Sequence, residues 1–120
     1  MTWRDTIADA INGIAPGVVV TPAPPDVPTA GAGWPSWVSA EADTYCGLLN
    51  TWHVIILLPN PNTQTVIDAG DPLVGLVFAA LTDIGEVSIV EPIQVQTSDP
   101  TQGNAQPALR FTMTTTGAAP

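Results

Sequence analysis

The sequence contains no lysine, only two arginines and a single histidine, and this scarcity of positive charge excludes several functions at once. Arg4 and Arg110 stand against eleven acidic residues, which gives a formal net charge of −9 at pH 7. The chain cannot build a basic surface that neutralises phosphates, so we exclude docking on nucleic acid through such a patch. A phosphate loop of the GxxxxGK[ST] type is excluded as well, because it requires a lysine.

Cysteine is equally scarce, because Cys46 stands alone in the sequence. A single cysteine cannot form an internal disulfide, and we interpret it as a small buried hydrophobe, with a reactive thiol as the alternative. One histidine, one cysteine and scattered acids give no closely spaced set of metal ligands. We therefore expect no metal ion and no other cofactor.

Long apolar runs are also missing. The run at 54–58 is five residues long and the run at 73–81 contains Gly75, so neither approaches the roughly 20 apolar residues of a membrane span. The N-terminus carries acids early and lacks the basic-then-apolar pattern of a signal peptide. We expect a soluble, non-secreted protein that has no membrane partner.

Apolar residues are abundant in what remains. Hydrophobic residues make up 45% of the chain and charged residues only 11%, less than half of the roughly 25% usual in soluble domains. A length of 120 residues suits one domain over the whole chain, with one core. Its surface must therefore be unusually neutral.

Two helices are predicted. Thr2 can cap the first, with Asp5 reaching back three residues later, and Pro16-Gly17 ends it. Its apolar stripe is Trp3, Ile7, Ala10, Ile11 and Ile14. The apolar stripe of the second helix is Val66, Ile67, Gly70, Leu73, Val74, Val77, Phe78 and Leu81. Pro72 predicts a short helical turn followed by the main helix from about Asp71 to Thr82, with Gly85 beyond its end.

Five strands are predicted, at 17–21, 34–41, 45–58, 87–96 with a bulge or bend at Glu91-Pro92, and 108–114. The third is apolar on both faces and is therefore expected to be central and covered on each side. Leu109, Phe111 and Met113 should point inward from the last. The pattern indicates an α+β fold with a single mainly antiparallel sheet packed with the N-terminal helix and the central amphipathic helix.

Three segments fall outside this pattern. Residues 22–33 contain PAPPDVPTAGAG, which we interpret as an extended arm or loop whose length suits contact with a partner. Residues 98–104 read as a turn or loop. Residues 115–120 are expected to form a flexible C-terminal tail.

No catalytic residue is predicted. His53 is the only imidazole and lies in an apolar strand, where a packed or edge histidine is favoured over a catalyst. A hydrolase would require a pocket that gathers Glu41, Asp43 and His53, and the sequence indicates none. Asp68 and Asp71 lie at a helix boundary, where capping accounts for one of them. We expect the protein not to be an enzyme.

Tryptophan is the most informative aromatic residue. Trp34 and Trp37 lie beside the proline- and glycine-rich arm, and four tryptophans is a high number for a chain of this size. Burial in the core and a place at a subunit contact remain equally good interpretations of this pair.

The order of these pieces resembles the tail terminator proteins of phages with long non-contractile tails. The resemblance rests on a short helix (TWRDTIADAING), a Val-rich strand and an irregular loop. These are followed by long strands that end in WHVIILLPNP, an amphipathic helix (DPLVGLVFAALTDI) and a closing Leu-Arg-Phe-Thr-Met strand. It covers nearly the whole chain, although related neck proteins that complete or join tails share the fold.

The resemblance implies a structural virion protein without catalytic residues. It implies a ring, typically of six copies, that caps the finished tail tube and offers a surface to the head-side connector or stopper protein. The protein would assemble in the host cytoplasm and lie at the tail–neck junction of the virion, where DNA passes through without tight binding. The expected subunit-interface residues are Trp34, Trp37, Asp99 and Arg110. The alternatives are another head–tail joining or neck protein of this fold, or a small monomeric binding adaptor.

Overall fold

The computed structural model describes residues 2–14, 17–24, 31–43, 47–58, 63–96 and 105–117, and these residues adopt an α+β fold. The elements in chain order are α1 (Trp3–Asn12), β1 (Val19–Val20), β2 (Ala32–Asp43), β3 (Gly47–Leu57), α2 (Thr63–Thr82), β4 (Glu86–Gln96) and β5 (Ala105–Thr116). The predicted fold class and the predicted order of helices and strands are both confirmed. Neither described helix combines the length and the apolar character needed to span a membrane.

The five described strands form one sheet in the order β1-β2-β3-β5-β4. β1 pairs in parallel with the start of β2, and the other pairs are antiparallel. β3 lies in the middle, as its two apolar faces predicted. Because β5 pairs with both β3 and β4, the last strand along the chain lies inside the sheet.

Both helices pack on the same face of the sheet, which we call the covered face. The main core there joins helix residues with alternate strand residues: Ile7, Ile11, Val77 and Leu81 with Trp52, Val54, Ile56, Leu58, Leu109, Phe111 and Met113. The inward direction of Leu109, Phe111 and Met113 is thereby confirmed. The opposite face, which we call the open face, carries a smaller cluster made of strand residues, with Trp34, Leu57 and Ala108 at its centre. Among the described elements, helices thus cover β3 on one side and not on both.

α1 begins with the predicted capping box. Thr2 accepts a hydrogen bond from the Asp5 backbone N–H, and the Asp5 carboxylate accepts from the Thr2 backbone N–H and hydroxyl. These bonds, the backbone one first, lower the pKa of Asp5. The helix ends at Asn12, earlier than predicted, and the Asn12 carboxamide bonds both the N–H and the C=O of Val20. Asn12 thereby attaches β1 to the end of the helix.

α2 is one continuous helix, so the predicted restart at Asp71 is wrong. A proline in a helix interior costs about 3 kcal/mol, and packing on both sides of Pro72 must offset that cost. Gly70 is buried against Leu58 on one side of it, and Val77 is fully buried on the other. Phe78, predicted to face inward, is instead 44% exposed.

Two predicted segment boundaries are also wrong. Ala32 and Gly33 belong to β2 and pair with β1, so the arm ends before them. Thr115 and Thr116 belong to β5, and Thr115 is buried and accepts a hydrogen bond from Trp52, so the flexible tail cannot begin there. In both places backbone pairing with a neighbouring strand extended the element beyond its apolar residues.

The irregularity in β4 lies at Ser88 and not at Glu91-Pro92. The register shifts between Val87 and Ile89, and the Ser88 hydroxyl donates to the Thr112 carbonyl. Pro92 stays in register opposite Leu109. Proline lacks a backbone N–H, and an edge strand such as β4 tolerates this loss on the side that faces no other strand.

Some predictions lie outside the described residues. These are residues 25–30 of the arm, the 98–104 loop with Asp99, Cys46, and residues 118–120 of the tail. The side chains of Asp43, Val66, Ile67 and Asp68 likewise fall outside the description.

Candidate functional site

The outward surface of α2 is the first feature without a structural explanation inside the subunit. Residues 72–82 contain no charged side chain, and Leu76 and Phe78 are 41% and 44% exposed. Gly75 and Ala79 are exposed beside them. A helix that is apolar all round is ordinarily buried, and this one is buried on one side only. We call these four residues the uncharged α2 surface.

The open face is the second feature. Paired residues form rows across this face from β2 through β3 and β5 to β4. One row consists of Trp34, Ile55, Arg110 and Glu91. The next row consists of Ser36, His53, Thr112 and Ile89. Arg110 donates to the Glu91 carboxylate through Nε at 3.0 Å and through Nη2. Ile89 is 53% exposed at the edge. This face is therefore mixed in character, with an ion pair between apolar side chains.

The third feature is an open cleft of about 370 Å³, which we call the tryptophan cleft. It is lined by Thr2, Trp3, Arg4, Trp37, Asn50 and Trp52. The start of α1 contributes the first three, β2 contributes Trp37, and β3 contributes the last two. The Arg4 guanidinium carbon lies 5.3 Å from the centre of the Trp52 ring, within the range of a cation–π contact. One of the two arginines of the chain is thus placed among three of its four tryptophans.

Hydrogen bonds hold the three indoles of the cleft in place. Trp3 Nε1 donates to the Gly117 carbonyl at 3.0 Å, and Trp52 Nε1 donates to the Thr115 hydroxyl at 3.1 Å. Trp37 Nε1 donates to the Asn50 side-chain oxygen at 3.3 Å. The indole N–H groups are all bonded within the subunit, so Trp37 and Trp3 offer ring faces and edges to an occupant and not their donors, whereas Trp52 is buried beneath Arg4.

Of the predicted interface residues, Trp34, Trp37 and Arg110 lie in the described part of the chain, and the three do not share one surface. Trp34 is buried on the open face, whereas Trp37 pairs with Trp52 on the covered face and is 50% exposed. Arg110 also lies on the open face, where Ile55 of β3 separates it from Trp34. Asp99 lies outside the described residues. Trp37 is therefore the accessible member of the tryptophan pair, and it belongs to a different surface from Trp34 and Arg110.

His53 lies on the open face between Ser36 and Thr112. Partial burial lowers its pKa, Arg110 lowers it further, and Glu91 acts in the opposite direction. Glu41, which pairs with Leu49, is separated from His53 by four positions of β3, roughly 13 Å along the strand. The structure does not bring these two groups into one pocket.

The described part of the chain holds no group of three or more histidine, cysteine, aspartate or glutamate side chains arranged for a metal ion. The sequence reasoning missed Trp3, Arg4, Asn50 and Trp52 as members of a site. One pattern in the sequence could have pointed to this site, because Arg4, one of only two arginines, directly follows Trp3.

The sequence matches no protein-family model, and it shows no significant similarity to a curated protein.

Proposed function

We propose that the protein is a structural virion subunit that forms a ring, of six copies as in the family it resembles. The ring caps the phage tail tube, stops its growth and connects it to the head-side neck. The observation that carries this proposal is the uncharged α2 surface. Leu76 and Phe78 leave apolar area in water that burial against a second subunit would remove, and each Å² removed is worth about 25 cal/mol.

A ring cap also fits the way in which a tube of identical subunits grows. Each added layer exposes a face like the one before it, so head-to-tail stacking continues until something different covers the end. One face of a cap must be complementary to the end of the tube, and its opposite face must not bind a further layer of tube subunits. A chain with few charges, an uncharged α2 surface and an open face of mixed character has the means for such lateral and axial contacts.

The charge of the chain fits a ring through which DNA slides. Nine net negative charges oppose the phosphates, and the open face carries Glu41, Glu86 and Glu91 against Arg110. Like charges keep the nucleic acid from binding, above all at low salt. We expect no retardation of double-stranded DNA in a gel-shift assay at low ionic strength, and tight binding would contradict the channel role.

The α2 surface is tested by adding one charge to it. Phe78→Asp should leave the subunit folded and abolish rings, because the contact would have to bury an unpaired carboxylate. Thr82→Asp is the matched control, since it adds the same charge at an exposed polar position of the same helix. Sedimentation and negative-stain microscopy, with and without tail tube protein, measure the outcome. Rings of Phe78→Asp equal to wild type would refute the α2 contact.

The capping role is tested in the phage. Deleting the gene should give tails of irregular excess length together with filled heads that lack tails, both visible by negative-stain microscopy. Tails of normal length joined to heads would overturn the proposal.

A second candidate is a monomeric binding adaptor, and the tryptophan cleft favours it. The cleft lies beside the point where the proline-rich arm begins, since Arg4 contacts Pro22. An adaptor would remain monomeric at every concentration and in the presence of tail tube protein, which the same sedimentation experiment detects. Another neck protein of this fold would form rings but leave tail length unchanged on deletion.

A further inference from the structure

We infer that the tryptophan cleft is the docking site for the proline-rich segment 22–28 (PAPPDVP) of a neighbouring copy, an inference that rests on the proposed ring. Each copy would place its segment in the cleft of the next. This is a head-to-tail contact, and it closes into a ring when the rotation per subunit permits.

The chemistry of the cleft selects proline. Trp37 is half exposed and Trp3 is partly exposed, and hydrogen bonds within the subunit fix both indoles, so their ring faces and edges are ready to receive a flat apolar group. Trp52 is buried beneath Arg4 and forms the floor of the cleft. A proline ring stacks on an indole and has no backbone N–H to satisfy. A proline-rich peptide also loses little conformational entropy on binding, because each proline ring fixes φ and favours an extended conformation.

Charge complementarity supports the same occupant. Arg4 lies within the cleft over the Trp52 ring, and the segment 22–28 contains one charged residue, Asp26. Arg4 is one of the two arginines of the chain, and Asp26 is the acid that the segment offers to it. The Arg4 guanidinium already accommodates backbone carbonyls of proline, since it donates to Pro35 at 3.0 Å and to Pro22 at 3.5 Å.

The segment is anchored at both ends in its own subunit, at Pro22 on Arg4 and at Gly31 on Leu57. After β1 the chain runs beside β2, with the Thr21 N–H bonded to the Gly33 carbonyl. Gly31, the next described residue after Pro24, bonds Leu57, five positions along β3 from Trp52. The segment of a neighbour carries the same two anchors on its own subunit and would enter the cleft as a loop, and mixing two variants decides between the two copies.

The first experiment measures binding of a fluorescein-labelled peptide of residues 21–31 (TPAPPDVPTAG) to the full chain by anisotropy. We expect saturable binding that Trp37→Ala weakens by about tenfold or more, as loss of a central tryptophan does at protein interfaces. Ile14→Ala is the control, because it removes an exposed apolar side chain outside the cleft and should leave the affinity within about twofold.

Arg4 and Asp26 are tested together. A peptide with Asn in place of Asp26 should bind wild type more weakly, and Arg4→Gln should bind the two peptides equally, because the pair is then already broken. A full-length variant with Pro24, Pro25 and Pro28 replaced by Ala removes competition from the protein's own segments. If neither this variant nor wild type binds the peptide, or if Trp37→Ala binds it as wild type does, the inference is overturned.

Mixing two variants tests whether the contact is made between copies. Trp37→Ala has a defective cleft and the triple-proline variant a defective segment, so each alone should sediment as a monomer. Their mixture should give dimers and no rings, since only one kind of junction is complete. A mixture that remains monomeric would refute docking between copies.

These outcomes separate the inference from the proposed function. Rings that persist in the triple-proline variant, with no binding of the peptide, would leave the ring proposal intact and remove the cleft from it. Peptide binding as expected, with no rings even on tail tubes, would keep the cleft and reject the ring.

Discussion

The two faces of the sheet come from the same long strands, yet they differ in what packs against them. On the covered face, Val54, Ile56 and Phe111 are fully buried beneath α1 and α2. On the open face, their immediate neighbours Ile55, Arg110 and Thr112 are partly exposed. A single step along a strand therefore changes the environment from a packed core to a surface. The covered face accounts for folding, and the open face is available for contacts or for lining a channel.

The largest expected effect is on the covered face. Phe111→Ala should lower the free energy of unfolding by about 3–5 kcal/mol, because it leaves a cavity under both helices. Thr112→Ala, one position along the same strand, should cost about 1 kcal/mol or less. Urea denaturation followed by circular dichroism measures both changes. Equal losses in the two variants would show that the open face is as tightly packed as the covered one.

The buried cluster of Trp34, Leu57 and Ala108 is the exception on the open face, and Trp34 gives the next largest effect. It is 8% exposed and packs with Leu57 and Ala108, so Trp34→Ala should destabilise the subunit by about 2–4 kcal/mol. Trp37→Ala should cost about 1 kcal/mol or less, because that ring is half exposed. Thermal melts of the two variants decide the matter. A stable Trp34→Ala variant that fails to form rings would return Trp34 to the interface.

Arg110 gives a smaller effect on stability. Its ion pair with Glu91 is about one third exposed on both sides, so Arg110→Ala should change the free energy of unfolding by less than about 1 kcal/mol. We expect rings to weaken, because Arg110 is predicted to lie at a subunit contact. Glu86→Gln, which changes one charge elsewhere on this face, is the control. Unchanged rings in sedimentation would assign the open face to the channel and not to a contact.

His53 gives the smallest effect. Because the folded state lowers its pKa below 6.5, the neutral ring is favoured, and its contribution to stability is complete above pH 6.5. That contribution is lost as the pH falls from 6.5 through the lowered pKa. His53→Gln should remove this part of the pH dependence and leave assembly unchanged. An NMR titration that places the His53 pKa above 6.5 would contradict the burial argument.

The order and type of the helices and strands could be predicted from the sequence, because the spacing of apolar residues along the chain is a local property. The alternation in β5 placed Leu109, Phe111 and Met113 on the inward face correctly. The same alternation would have separated Trp34 from Trp37, which lie three positions apart on one strand. Only their shared closeness to the arm suggested that they belonged together.

Other features depend on tertiary contacts that no local pattern contains. The extension of β5 to Thr116 depends on pairing with β3, and the continuity of α2 through Pro72 depends on packing against Leu58 and the strands. The tryptophan cleft requires α1, β2 and β3 to meet. A single sequence specifies these elements but does not show that their tryptophans share a surface.

The position of β5 between β3 and β4 has a consequence for how the chain reaches this fold. During synthesis β2 and β3 can pair early, but β4 has no neighbour until residues 105–116 have left the ribosome. The Trp3 indole then bonds Gly117, a contact across 114 positions. Contacts of such long sequence separation slow folding, because the chain between the two residues loses conformational entropy before the contact stabilises the fold. The nascent protein therefore leaves one edge of the apolar strand β3 unpaired until residues 105–116 emerge, and its yield in cells should depend on protection during that interval.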